Sequence, residues 1–418
     1  MNGMSMNIRI RLSVMMFLQY LMFAVWWVQL AGYLGKSEVS ATWQFWILAV
    51  MPLGCLVAPI LCMIADRHFA SQKVLMALNV ACAVLFLIGA RQDSPAALFV
   101  ILLLAMFCYM PTWSLTNAIA MTHAPAEKFP QIRVFGSIGW VASGLFGVVA
   151  LWLFDRKIDS TLIPLYCGAS TALVAALLNL TLPNTPPPAK GQKASVVDAL
   201  GLRAIGLLKD LNFALFLMIA LLVMTPFTLY FSLGSQFFES QGFKLVTFLM
   251  SWGQAVEILL MLLVPLALAR FGVKWTMAIG LAALVVRYLT LWAGVATDTN
   301  LLYYIAILVH GIIFGFFFVG GQVYVDKKAP PEMRAQAQGL YVLLCYGVGQ
   351  FVGTFVSVKL IAMYATDGVT NWAPVFMIIA IVSAVLLVAL AVLFRDDVAK
   401  AGEPTSEQIS DEGGEKKS

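Results

Sequence analysis

The sequence predicts an all-α membrane protein with twelve transmembrane helices, and three observations support this fold class. The 418 residues are 61% apolar and only 11% charged, whereas soluble domains are about a quarter charged. Apolar runs of about 20 residues, the length that crosses a bilayer, recur along the whole chain. Lysine and arginine are concentrated in alternate connections between these runs. A chain with so few polar residues cannot cover a surface exposed to water, so lipid is its expected solvent.

Short polar connections separate the apolar runs, except for one longer polar stretch after the sixth run. The twelve runs are 10–34, 42–65, 73–91, 95–122, 131–154, 161–182, 210–236, 245–269, 274–295, 300–325, 336–362 and 372–395. Within the longer stretch, Ala199 to Leu208 is interpreted as an interfacial helix. The predicted organisation is a six-helix half at 1–182, a cytoplasmic linker with that helix at 183–209, a second six-helix half at 210–395 and a disordered cytoplasmic tail at 396–418.

The basic residues predict the orientation in the membrane. If both termini are inside, 19 of the 26 lysines and arginines lie on the inner side and 5 on the outer side, as the positive-inside rule requires. The apolar run after Arg9 and Arg11 is too long for a signal-peptide core and is therefore interpreted as the first span. We predict a multi-pass protein with both termini in the cytoplasm. Its net charge of +5 then needs no nucleic-acid partner.

Glu257 is the main candidate for a functional side chain, because it stands in the middle of the eighth apolar run. Ionisable groups are costly inside a bilayer and usually mark a functional site. Gln254 precedes it by three residues and projects from the same helix face. Glu257 is predicted to bind a proton or a substrate hydroxyl. The alternative is a buried ion pair that fixes helix packing, with Arg287 of the ninth run as its partner.

Two other runs carry candidate binding residues. In the fifth run, Arg133, Ser137 and Trp140 fall on one helix face and offer a guanidinium, a hydroxyl and an aromatic ring; the alternative for Arg133 is a snorkelling interfacial side chain. In the tenth run, His310 precedes Phe314 by one helical turn. The imidazole either lines a cavity or is a packing group whose hydrogen bonds are satisfied.

Asp66 and Arg67 follow the second run in a short inner connection, Ala65 to Lys73. An acid followed by basic groups can cap and latch neighbouring helix ends, so we predict a gating loop here.

Other classes of site have little support. The six cysteines lie inside apolar runs without motif spacing, and the three histidines are far apart, so we expect no disulfide, no metal and no cofactor. An enzyme would need clustered catalytic groups, and a sensor would need a soluble output domain. A carrier of a small polar solute is the remaining interpretation.

Several local strings together indicate a family. They are Asp66-Arg67, Tyr109-Met110-Pro111-Thr112 with Thr116-Asn117, Phe129-Pro130-x-Ile132-Arg133-x-x-Gly136-Ser137-Ile138-Gly139, Leu200-Gly201-Leu202-x-Ala204, Gln254-x-x-Glu257, Val325-Asp326-Lys327-Lys328 and Arg334-Ala335-x-Ala337-Gln338-Gly339. This combination resembles the nucleoside:proton symporter family of the major facilitator superfamily, over about residues 8–395.

The resemblance implies a twelve-helix carrier of two six-helix halves, of the major facilitator type, in the bacterial inner membrane. It would be a monomer that imports nucleosides with protons by alternating access, with Glu257 as the proton carrier. The substrate-binding residues are expected to be Arg133, Ser137, Trp140, Thr228, Gln254, Glu257, His310 and Phe314. The chain departs from the family where Gly315 replaces an acid in the tenth span, and where Thr228 and Phe231 stand in place of a polar pair. A facilitator or symporter for another polar solute, such as a sugar, is the alternative.

Overall fold

The computed structural model is almost entirely helical, as predicted. It describes residues 5–37, 39–125, 128–187 and 195–398, without the side chains of Ala65, Asp66, Asp198, Ala199, Glu332 and Ala335. In these residues, ten helices are long and apolar enough to cross a membrane. Large apolar side chains such as those of Trp152, Leu211 and Leu262 are 85%, 84% and 76% exposed. Such an apolar surface is stable in lipid and not in water.

Eight α-helices cover the described residues before position 182. They are α1 (Met6–Lys36), α2 (Ala41–Leu48), α3 (Val50–His68), α4 (Ser71–Gly89), α5 (Pro95–His123), α6 (Phe129–Ala142), α7 (Leu145–Phe154) and α8 (Ile163–Asn179). The second predicted run is divided into α2 and α3, because Pro52 has no N–H to donate to the carbonyl of Leu48. The fifth run is likewise divided, at Ser143–Gly144.

The predicted gating loop begins later than expected. Helix α3 continues through His68, so Asp66 and Arg67 belong to its last turn and not to the connection. The Arg67 Nη1 donates to the carbonyl of Met63 at 2.8 Å, a bond along the helix. The predicted boundary at residue 65 was wrong because nothing in Ile64–His68 breaks a helix: the segment has no proline or glycine. The side chain of Asp66 lies outside the described part of the structure.

The linker also differs from the prediction of a single helix from Ala199 to Leu208. It contains a short helix α9 (Val196–Ala199) and a 3₁₀ helix (Leu202–Lys209). Gly201 separates them with a φ of +68°, and a Cβ at this position would lie 2.4 Å from the carbonyl oxygen of Gln336. Only glycine tolerates both the positive φ and the close approach. The bend therefore docks the linker onto a helix of the second half.

Nine further α-helices, two π-helices, two short 3₁₀ helices (Met261–Leu263 and Pro331–Met333) and one hairpin are the elements of the described residues after position 210. The α-helices are α10 (Leu211–Ser240), α11 (Val246–Leu260), α12 (Val264–Thr297), α13 (Asn300–Leu308), α14 (His310–Ile312), α15 (Gly320–Lys328), α16 (Arg334–Val342), α17 (Gln350–Met363) and α18 (Trp372–Leu393). The π-helices are Ile313–Val319 and Leu343–Gly349, and β1 (Ala365–Thr366) pairs antiparallel with β2 (Val369–Thr370). Helix α12 is interrupted at Gly272, where φ is +74°, within the predicted connection between the eighth and ninth runs.

Helices from the two parts of the chain pack directly on one another. Helix α1 packs on α10, and α6 packs on α11. Gly144, just after α6, approaches so closely that its Cβ would lie 2.6 Å from the Cα of Phe248. The backbone N–H of Gly32 donates to the Ser235 hydroxyl at 3.1 Å, so α1 and α10 run parallel. We call the end of the bundle near Ser235 the distal end, and the opposite end, where α1 begins, the terminal end.

Candidate functional site

Helix α6 places the predicted guanidinium and indole inside the bundle. The Arg133 Cζ lies 4.5 Å from the centroid of the Tyr20 ring on α1, a cation–π distance. Trp140 is 8% exposed, and its ring centroid is 5.8 Å from that of Phe23 and 5.9 Å from that of Phe231. Ser137 lies between them on the helix and is partly buried. The face predicted from sequence spacing is thus formed of one cation, one hydroxyl and one aromatic ring.

Helices α11 and α14 bring Gln254, Glu257 and His310 together. The Nε2 of His310 lies 3.6 Å from the Glu257 Oε2 and 3.3 Å from the Gln254 amide nitrogen. Gly311 permits this approach, since a Cβ there would lie 2.6 Å from the Glu257 Cα. The glycine therefore lets the two backbones touch, and the three polar side chains meet within an apolar bundle.

Arg287 adjoins this cluster but does not contact Glu257. It is fully buried, and its Nε donates to the carbonyl of Ala306 at 3.0 Å. Its Nη2 lies 3.0 Å from the His310 Nδ1, and its Cζ lies 3.9 Å from the centroid of the Tyr230 ring. The direct Glu257–Arg287 ion pair, which the sequence left open as an alternative, is not among the salt bridges of the described residues. His310 lies between the two charges instead.

The charged side chains of α6 and α11 influence each other electrostatically. The two helices pack against each other, and the Arg133 guanidinium attracts the Glu257 carboxylate. Arg133 comes from the first half of the chain and Glu257 from the second. The residues predicted from the fifth and eighth runs therefore converge on one region between the two parts of the protein.

The other two predicted binding residues are Thr228 and Phe314, of which Phe314 contacts the cluster of Gln254, Glu257 and His310. Thr228 is fully buried, and its hydroxyl lies 3.0 Å from where a Cβ of Gly353 would be, so it packs towards α17. Phe314 is partly buried and stacks on His310, with ring centroids 6.4 Å apart. At Gly315, where the resemblance led us to expect an acid, a Cβ would lie 3.2 Å from a methyl group of Val264. This position therefore faces α12.

A second charged network, which was not predicted from the sequence, lies at the distal end. The Glu239 Oε1 lies 2.5 Å from the Lys36 Nζ and 2.5 Å from the Lys157 Nζ, and its Oε2 accepts from the Ser160 hydroxyl at 2.7 Å. Lys36, Lys157 and Ser160 precede the linker, whereas Glu239 follows it. The network therefore ties the two parts of the chain together. The one available signal was an acid at the end of the seventh apolar run.

Asp159 adds another contact between the two parts of the chain at the distal end. Its Oδ2 accepts from the backbone N–H of Thr247 at 2.9 Å, again across the two parts of the chain. Burial raises the pKa of the Asp159 carboxyl above its ordinary value, against the opposing effect of the Thr247 hydrogen bonds. The same burial that closes the distal end therefore makes this carboxyl easier to protonate.

Tyr230 was also missed, because an aromatic residue in an apolar run carries no special signal. Its ring centroid is 5.8 Å from that of His310. Together with the guanidinium contact described above, this places it beside the cluster of Glu257, His310 and Arg287.

Comparison with known proteins relates this arrangement to transporters. The family model described as nucleoside H+ symporter matches residues 6–399. YegT of Escherichia coli (strain K12) is 37% identical over 398 residues, which are 92% of this chain and 93% of YegT. The nucleoside permease NupG of the same organism is 28% identical, over 93% of this chain and 96% of NupG. Two crystal structures of nucleoside transporter NupG, one of them a point mutant, cover 93% of this chain and 100% of theirs, with TM-scores of 0.83 and 0.86.

Proposed function

Because this chain belongs to the nucleoside H+ symporter family, we propose that it imports nucleosides together with protons across the bacterial inner membrane by alternating access. It is a transporter and not an enzyme. The observation that carries the proposal is the packing of α6 on α11, which directs Arg133 of the first half towards Glu257 of the second. A site shared by two halves can be opened to either side of the membrane when the halves rock around it.

The proposed topology is twelve spans in two six-helix halves, the major facilitator arrangement. Nine of the ten long helices count as one span each, and the 52-residue segment Val246–Thr297 counts as two because it is broken at Gly272. The shorter apolar helix Ile163–Asn179 is the twelfth. We keep the limits expected from the sequence: halves at 1–182 and 210–395, the linker at 183–209 and a tail at 396–418. The excess of basic residues places both termini in the cytoplasm.

The nucleoside is proposed to bind between α6 and α11. Trp140 and Phe231 offer aromatic faces for the base, and stacking of this kind contributes about 1–3 kcal/mol per base. Arg133, Ser137 and Gln254 supply hydrogen-bonding groups for ribose hydroxyls or base edges. Phe314 adds an aromatic surface beside His310. Thr228, which packs towards α17, is not assigned a direct contact.

Glu257 is proposed to carry the proton. A carboxylate in direct contact with lysine or arginine is held in its ionised form. Among the described residues, Glu257 has only His310 as an ion-pairing partner within 4.0 Å. It can therefore exchange a proton during the cycle without first breaking a strong ion pair.

The conformation is proposed to face the cytoplasm. Glu239 and Asp159 join the two halves at the distal end, which lies outside in the proposed orientation. Opening to the outside would then require these contacts to separate.

The test is uptake of labelled uridine, adenosine and xanthosine into liposomes that contain the purified protein. One coupled proton, driven by a pH gradient equivalent to about 100 mV, supplies about 2.3 kcal/mol and so supports accumulation of about 50-fold. We expect such accumulation, and its loss when a protonophore collapses the gradient. Nucleoside uptake that ignores the gradient would overturn proton coupling. Accumulation of labelled D-xylose without any nucleoside uptake would favour the alternative of a sugar carrier.

A further inference from the structure

Arg287 presents an electrostatic problem that the proposed transport function does not by itself explain. The side chain is 0% exposed, and a buried, unpaired charge carries a large desolvation penalty. The carbonyl of Ala306 and the face of Tyr230 contact the guanidinium, but neither is an anion. Its Nη1 has no hydrogen-bond partner among the described residues. No carboxylate in the described part of the chain lies within 4.0 Å of this guanidinium.

The contact with His310 fixes the tautomer of the imidazole. A guanidinium has donors only, so the His310 Nδ1, 3.0 Å from the Arg287 Nη2, must be the acceptor. An accepting Nδ1 carries no proton. The neutral ring therefore carries its one proton on Nε2, and this N–H points away from Arg287.

The Nε2 side of the ring faces the two polar residues of α11. From the His310 Nε2, the distance is 3.6 Å to the Glu257 Oε2 and 3.3 Å to the amide nitrogen of Gln254. The Gln254 Oε1 is buried, and no residue in the described part of the chain forms a hydrogen bond with it. Turning the amide by half a revolution would let Oε1 accept from the His310 Nε2–H and remove an unfavourable donor–donor contact. Both acceptors on α11 then lie on the side to which Nε2–H points.

On the basis of the proposed function, we propose that His310 is a positioning residue that links the buried charge of Arg287 to Glu257. While Glu257 is ionised, its carboxylate balances Arg287 through the imidazole. When Glu257 takes a proton, Arg287 loses this counter-charge. The intact link therefore opposes protonation of Glu257, and protonation becomes easier when the cluster is opened during the cycle.

Other charged or titratable groups around the cluster act on the same equilibrium. Arg133 on α6 acts electrostatically on Glu257. Tyr230 on α10 lies over Arg287, and Tyr288 on α12 is also in electrostatic contact with Arg287. Tyr346, in the π-helix Leu343–Gly349, interacts with Glu257. Among the described residues, His310 is the one that lies within 4.0 Å of both the Arg287 guanidinium and the Glu257 carboxylate.

Two substitutions of His310 test its contact with Arg287 and its contact with Glu257 separately. His310→Asn keeps an acceptor near the position of Nδ1, and so keeps the Arg287 contact, but it is too short to reach Glu257. His310→Gln places an amide near the position of Nε2 and keeps the side that faces Glu257. His123→Asn is the matched control, because His123 contacts Thr185 at the terminal end, far from the cluster.

The experiment measures the pH dependence of nucleoside accumulation, together with nucleoside exchange at equal pH on both sides. Loss of a hydrogen-bond donor that faces the ionised form of a carboxyl shifts its titration upwards, by about one pH unit. We expect the midpoint of the pH dependence to rise by about one pH unit for His310→Asn and by less for His310→Gln. The rate of exchange at equal pH measures any separate effect of these variants on nucleoside binding. Arg287→Gln added to His310→Asn should shift the midpoint by less than Arg287→Gln does in the wild-type protein, because part of the coupling is already lost.

The outcomes distinguish this inference from the proposed function. If wild-type protein neither exchanges nor accumulates nucleosides, the proposed function fails. If wild-type protein accumulates them and His310→Asn keeps the wild-type midpoint, only the link through His310 is overturned. Equal shifts in His310→Asn and the His123→Asn control would overturn it too. Should His310→Asn fail to fold, the His310→Gln protein and the single variant Arg287→Gln, which should raise the midpoint, still decide the question.

Discussion

The second half of the chain contains two buried carboxylates, Glu239 at the distal end and Glu257 near the middle of the bundle, and their charges are balanced differently. Two lysine ammonium groups lie 2.5 Å from Glu239. Among described residues, the one ion-pairing partner of Glu257 is His310, at 3.6 Å. A carboxylate with direct cationic partners stays ionised and suits a latch between helices. A carboxylate without them can gain and lose a proton, so similar burial supports two different tasks.

The largest expected effect comes from Glu257→Gln. The substitution keeps the size of the side chain but removes the proton-binding group, so the gradient can no longer drive uptake. Under a driving force equivalent to about 100 mV, accumulation should fall from about 50-fold to none, while nucleoside exchange continues. Labelled uridine in liposomes measures both. Glu239→Gln is the matched control: it keeps Glu257, so its uptake should still depend on the gradient. Full accumulation by Glu257→Gln would mean that Glu257 does not carry the proton.

Glu239→Gln should instead open the distal end. Loss of the charge-assisted hydrogen bonds to Lys36 and Lys157 removes about 1–2 kcal/mol from the closed state, because both lysines are partly exposed to solvent. The ratio of open to closed molecules should rise about 5–30-fold. Spin labels at Arg156 and Lys244, in a background without the native cysteines, report the distance across this end.

Ser240→Ala is the control for that measurement, because its hydroxyl donates to the carbonyl of Phe237 within the same helix. It should leave the distance distribution unchanged. A distribution for Glu239→Gln that is indistinguishable from that of Ser240→Ala would mean that Glu239 does not hold the end closed.

Trp140→Ala tests whether the region between α6 and α11 binds the base. Loss of one stacking surface should weaken nucleoside binding by about 1–2 kcal/mol, which raises KM about 5–30-fold, without changing the proton requirement. Trp152→Ala is the matched control, because this indole is 85% exposed on the apolar surface. Equal KM values for the two variants would remove Trp140 from the site.

The smallest expected effect is the pH response of the distal end through Asp159. Its ordinary pKa of 3.8 is raised by burial in the closed state, so the closed state binds this proton more tightly than a state in which Asp159 is exposed. Closure should therefore be favoured as pH falls from above the raised pKa towards 3.8, and weakened as pH rises through the raised pKa. The same spin labels measure this response.

Asp159→Asn should remove that response, because it keeps an acceptor for the Thr247 N–H but cannot titrate. The variant should resemble the protonated form, with the distal end more closed at neutral pH. An unchanged pH response in this variant would assign the effect to another group.

Candidate site residues were selected most directly where a polar side chain stands out against an apolar run. Glu257, Gln254 and Arg133 were found in this way, because each is costly in a bilayer unless it has partners. Tyr230 could not be found, since an aromatic residue is common in an apolar run. Thr228 was assigned to the site from the resemblance. The direction in which its side chain points depends on how α10 packs against Gly353.

Helix ends were predicted less well than helices. Pro52 divides the second run, and Gly201 divides the linker where another backbone passes close to it. Both effects are local, but their outcome depends on the neighbouring segment. The amino-acid composition of the π-helices Ile313–Val319 and Leu343–Gly349 does not distinguish them from α-helices.

The sequence by itself determined that this chain is a helical membrane protein, because composition and run length decide which solvent a segment can tolerate. It also determined which side chains must be explained, because a charge in an apolar run has few acceptable surroundings. The tertiary structure alone decided that His310 separates Arg287 from Glu257 and that Glu239 joins the two halves. These pairings depend on the rotation and depth of helices far apart in the chain, which side-chain packing sets and local spacing does not.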